Sequence, residues 1–133
     1  MPSSGKDMPT LIWLPDLVEQ AENFEKFFAD PNSKVRQVRN IWLLNYWNQG
    51  SSDHHESYDM TDVSNDIIWF MNDQKLTMAT IGGHGFGAKV ATATATANLE
   101  RFTGVMLLEG GPVDHTYHEA FHELKDFVSF VYQ

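Results

Sequence analysis

The sequence has no cysteine, so disulfides and thiolate metal sites are excluded, and the redox character of its compartment leaves no trace in it. Basic residues are also scarce: nine Lys and Arg against eighteen Asp and Glu give a formal charge of −9. No basic stripe is long enough to follow a phosphate backbone, which argues against a nucleic-acid partner. No apolar run approaches the roughly eighteen residues that a membrane-crossing helix needs, so direct membrane insertion is not expected. The opening "MPSSGKDMPT" has neither a signal-peptide core nor an Arg-rich amphipathic presequence. The chain reads as soluble and intracellular, with mitochondrial and cytoplasmic placements both open. It lacks repeats, low-complexity tracts and an obvious linker.

What is present suffices for one modest core: 133 residues, 42% hydrophobic and 13% aromatic. We expect a flexible N-terminus over 1–9 and a single domain over 10–133. Apolar runs alternate with helical patterns, which predicts an α/β class with about four parallel strands and flanking helices in three layers. "TLIWL" (10–14) is a short continuous apolar run suited to a strand buried on both faces, ended by Pro15-Asp16. A helix over 17–29 would put Val18, Ala21, Phe24, Phe27 and Phe28 on one face. Further strands are expected at 38–47, 76–82 and 104–110. A helix after Asp59 or Thr61 would carry Met60, Val63, Ile67, Phe70 and Met71 at helical spacing. "ATATATA" alternates like a strand, yet its small residues and the β-α-β rhythm favour a helix pressed on a sheet. A last helix is expected over 114–132.

Four stretches have residue types that can support chemistry. Gly83-His84-Gly85-Phe86-Gly87 is a strand-to-helix corner of the form G-x-S-x-G with glycine in place of the serine. It retains the shape of a nucleophile elbow without the hydroxyl, and the competing reading is a plain glycine turn. Gly83, Gly85 and Ala88 also fit G-x-G-x-x-A, with Glu109 about where a ribose-binding acid would stand; such a fingerprint normally opens a domain, and here two strands precede it. "HEAFH" (118–122) is a literal H-E-x-x-H with His115 one turn earlier, but Glu119 and Glu123 also suit a solvated helix face, and no metal site is assigned. "SSDHHES" (51–57) reads as an exposed polar loop.

In order and spacing, four segments resemble the α/β-hydrolase fold family, specifically its small single-lid esterases. "LIWLPDL" stands at the strand and oxyanion loop, with "ENF" at the next helix. "NYWNQGSSD" is similar to D-x-R-N-H-G-x-S, "GHGFGAKVA" to G-H-S-M-G-G-K-x-A, and "LLEGGPVDHTYHEAF" to the segment that leads from a strand into the lid. The resemblance implies a sheet in the order second, first, third, fourth strand. It places the nucleophile at Gly85, between His84 and Phe86, and an altered oxyanion loop at Pro15-Asp16. It also implies that the chain ends before the strands that supply the catalytic acid and histidine. Without triad members the expected activity falls by orders of magnitude, and a carboxylate at position 16 would oppose an oxyanion.

The expected protein is therefore a pseudoenzyme without catalytic residues, cofactor or metal, acting as a structural or interaction subunit of a larger complex, with a mitochondrial complex one of the placements left open. Its expected partner surface comprises Val105 and Leu107 on the edge strand 104–110 and Phe127, Phe130 and Val131 on the last helix, since an uncovered apolar edge invites pairing. Two alternatives are a split hydrolase completed by a second chain and a nucleotide-binding module using the Gly83-Gly85-Ala88 corner.

Overall fold

The computed structural model describes residues 8–46, 52 and 59–110. Four apolar runs in it become parallel strands: β1 (Thr10–Leu14), β2 (Asn40–Leu43), β3 (Ala79–His84) and β4 (Phe102–Leu108). They form one sheet in the order β2-β1-β3-β4, as the resemblance implied. Register is continuous across the centre, with Ile12 opposite both Trp42 and Ile81, and Ile81 opposite Val105. β1 is buried along its whole length, because a central parallel strand is covered on both faces.

Side chains alternate across the sheet, and each face has its own core. Leu11 and Trp13 point toward α1 (Glu25–Ala29) and α2 (Lys34–Val38), packing with Phe24, Phe28 and Val35. Trp13 meets the rings of Phe24 and Phe28 edge-on at 5.3 and 5.5 Å. Ile12, Leu14 and Ile81 point the other way, into the larger core beneath α3 (Met60–Asp73) and α4 (Phe86–Ala97). The expected three layers are thus present.

In α3, Val63, Ile67 and Met71 recur every fourth residue and are buried. Asp59 caps it by accepting the Thr61 N–H at 2.7 Å. α4 is built from small residues, so its backbone lies close on the sheet with Ala88, Ala91 and Ala95 buried. The Thr92 and Thr96 hydroxyls donate to carbonyls four residues back, at 2.9 and 2.7 Å, so they are satisfied inside the helix instead of competing for the backbone N–H groups.

The structure corrects four expected boundaries. Residues 17–29 are not one helix: Val18 has φ 56°, and a 3-10 turn (Ala21–Phe24) precedes α1, so Val18 and Phe27 are exposed. β2 starts at Asn40 because Val38 closes the short helix α2. β3 starts at Ala79 because residues 74–76 terminate α3, with Lys75 at φ 57° and the Leu76 N–H donating to the Met71 carbonyl at 2.8 Å. β4 starts two residues early, at Phe102. The loop expected over 48–57, apart from Ser52, and the helix expected over 114–132 lie outside the described residues.

Candidate functional site: a glycine corner filled by a carboxylate

β3 ends at His84, the chain turns at Gly85, and α4 starts at Phe86. Gly85 has φ 53° and ψ −115°, a conformation that L side chains adopt only under strain. Its neighbours are glycine for a different reason: a β-carbon at Gly83 would overlap the Gly87 carbonyl, and one at Gly87 would overlap the carbonyls of Leu14 and Pro15. The start of α4 therefore sits directly on the end of β1. This backbone is the strand-turn-helix geometry that holds a nucleophile at its tip.

The tip is occupied. A β-carbon built on Gly85 would overlap the carboxylate of Asp16, from the loop after β1. Asp16 Oδ1 accepts the Phe86 N–H at 2.6 Å and the Leu17 N–H at 2.8 Å. One of these amides follows the position of the nucleophile; the other belongs to the loop after a neighbouring strand. Such a pair forms the oxyanion hole of this fold. A negative oxygen already sits where an acyl oxyanion would be stabilised. Pro15 is buried behind it, its carbonyl accepting the Tyr46 hydroxyl at 3.0 Å.

His84 stands beside this pair. Its Nδ1 is 3.0 Å from Glu19 Oε2 and its Nε2 is 3.1 Å from Glu109 Oε2. The same Glu19 oxygen accepts the Asp16 N–H at 2.9 Å. The hydrogen bond to Glu19, then that to Glu109, raises the His84 pKa above its ordinary 6.5, against the opposing effect of burial. A raised folded value means that this contribution to stability is fully present below pH 6.5 and is lost as the pH rises through the folded pKa. Of the four residues with φ near 50–57° among those described, Gly85 and Glu109 are at the corner, Val18 is in the loop that carries Asp16 and Glu19, and Lys75 caps α3.

The structure thus brings Pro15, Asp16, His84, Gly85 and Phe86 together. It adds Glu19 and Tyr46, which the sequence reading did not single out; the run Pro15-Asp16-x-x-Glu19 is the only trace that Glu19 left in the sequence. The dinucleotide reading meets two obstacles, since Asp16 holds the amide that would take a pyrophosphate and Glu109 is engaged with His84. Val105 and Leu107 lie on β4, 42% and 45% exposed. Phe127, Phe130, Val131 and the H-E-x-x-H histidines lie outside the described residues.

No family model matches the chain. Among curated proteins it is 29% identical over 112 residues to a "Probable alcohol acetyltransferase" of Saccharomyces cerevisiae, covering 82% of this chain and 32% of that protein. Among solved structures it superposes on a marine microorganism esterase with a TM-score of 0.78 and 21% identity, over 95% of this chain and 48% of that one. It also superposes on MGS-M2, an alpha/beta hydrolase enzyme from a deep-sea metagenome library, with a TM-score of 0.75 and 14% identity, over 93% of this chain and 43% of that one. The chain spans between a fifth and a third of the length of the curated relatives it matches.

Proposed function

We propose that this chain, a partial α/β-hydrolase fold similar to acetyltransferase-like proteins, performs no acyl-transfer chemistry itself and acts by association, as a structural or interaction subunit of a larger assembly. One observation carries the reading: at the elbow the nucleophile position is Gly85, and the space and amides around it hold the Asp16 carboxylate. Loss of a serine nucleophile costs on the order of 10⁶ in turnover in a well-studied hydrolase. The residual rate in such variants comes largely from the oxyanion hole, and here that hole faces a resident negative charge. His84, the imidazole at the corner, is engaged by two carboxylates.

Association is supported by β4. It is an edge of the described sheet, and Val105, Met106, Leu107 and Leu108 are 41–46% exposed. Successive strand residues point to opposite faces, so both faces of this edge are apolar, as in a strand that is interior to a wider sheet. The partner is a protein that covers β4. A second reading, a hydrolase site completed by another polypeptide, is favoured by the apolar edge at β4, which further strands would cover, and opposed by Asp16 on the corner amides.

Hydrolysis of an activated acetyl ester and acetyl transfer to ethanol, measured for the protein alone and in its native complex, separate the two. The association reading requires background rates in both preparations. Turnover in the complex that disappears on His84→Ala would establish the second reading.

A further inference from the structure

Three parts of the fold converge on His84. Glu19 approaches Nδ1 from the loop after β1, Glu109 approaches Nε2 from the end of β4, and the Phe24 ring of the 3-10 turn lies edge-on with its centroid 5.8 Å away. Each carboxylate oxygen calls for an N–H, and only the imidazolium has two. The end of β4 is fixed on the same corner in other ways. The Gly85 N–H donates to the Leu108 carbonyl at 2.9 Å, Glu109 holds φ 50°, and a β-carbon on Gly110 would overlap the Gly85 carbonyl. On the loop side, Glu19 also accepts the Asp16 N–H, and Asp16 accepts that of Phe86.

We propose that His84, as the imidazolium, is a proton-controlled latch that ties the loop after β1 and the end of β4 to the glycine corner, and that loss of its proton releases Glu109. The asymmetry follows from exposure. Glu19 is 21% exposed and is shared with the Asp16 amide, whereas Glu109 is 78% exposed. A neutral imidazole has one N–H, which stays with the more buried Glu19; Glu109 is then left without a donor from His84 and can exchange to water. The left-handed backbone at Glu109 then loses one of the contacts that enforce it, while the Leu108 carbonyl and Gly110 keep the strand end on the corner.

The charged groups acting on His84 among the described residues are Glu19 and Asp16 from the loop and Glu109 from β4, all acidic, so they act together to keep the proton in place. The latch governs the end of the strand whose apolar residues are proposed to dock a partner. It does not depend on the absence of acyl chemistry, so either idea can fail without the other.

The test is an NMR titration of the whole protein that follows the His84 ring and the backbone amides of Gly85, Glu109 and Gly110, with Glu109→Gln and Glu19→Gln alongside. The latch requires His84 to titrate above 6.5, with the Glu109 and Gly110 amides shifting at the same midpoint. Glu109→Gln, at an exposed side chain that leaves the core intact, should lower that midpoint and abolish the linked shift at 109 and 110. Glu19→Gln should lower the midpoint as well. A His84 midpoint at or below 6.5, a midpoint unmoved by Glu109→Gln, or amides at 109 and 110 that ignore the titration would each overturn the proposal.

Discussion

Replacing Gly85 by alanine asks the corner to accept a β-carbon where the Asp16 carboxylate lies, and two separable costs follow. The backbone at φ 53° and ψ −115° imposes a strain of about 1–3 kcal/mol on any L side chain. The new carbon also falls within 3.0 Å of the carboxylate, so Asp16 must swing out and give up the N–H groups of Phe86 and Leu17. Hydrogen bonds to a charged group are worth about 1.5–3 kcal/mol each, but the half-buried carboxylate regains water, so the net loss for the pair is about 1.5–3 kcal/mol. Gly85→Ala should therefore destabilise by roughly 2.5–6 kcal/mol. In an Asp16→Gly background only the strain remains. Urea unfolding of the four proteins of this double-mutant cycle, at constant slope, should give a coupling of about 1.5–3 kcal/mol, with alanine better tolerated once Asp16 is gone. Costs that add to within about 0.5 kcal/mol would show that Asp16 does not occupy the tip, and the account of the site would fall.

Two further outcomes follow from the packing. Ile67→Ala removes a buried side chain between α3 and the sheet and should cost about 2–5 kcal/mol in the same unfolding assay; a loss under 1 kcal/mol would mean that α3 is not seated on Ile12 and Ile81 as described. Leu107→Lys on exposed β4 should change stability by no more than about 0.5 kcal/mol while abolishing co-sedimentation with the native partner. Association that survives the charge would move the interface elsewhere.

Much of the architecture was legible because the signals were local and redundant. The continuous run at 10–14, closed by Pro15-Asp16, suits a strand covered on both faces, and Val63, Ile67 and Met71 share one helical face. Order across the sheet came from the resemblance, since nothing in periodicity says which strand lies beside which. The misreadings arose where tertiary constraints override local pattern. Val18, Ala21 and Phe24 have helical spacing, but Asp16 and Glu19 are held by contacts to Phe86 and His84 at the corner, and the loop between them breaks the helix. Val38 has strand propensity and closes a one-turn helix instead. At the site, Gly85 was legible from the spacing of the glycines. The partnership of Asp16 with the Phe86 amide was not, because it joins residues seventy apart through the stacking of α4 on β1. Glu19 and Glu109 converge on His84 for the same reason: they come from different loops at one end of the sheet.

The corner keeps the form of a reactive centre while an internal carboxylate, that of Asp16, holds the position of the reactant. An active-site-directed fluorophosphonate, incubated with the intact protein and followed by whole-protein and peptide mass spectrometry, tests it most directly. No added mass is expected on any residue from Thr80 to Lys89 or on Asp16. A stoichiometric, covalently bound phosphonyl group on any of them would contradict it.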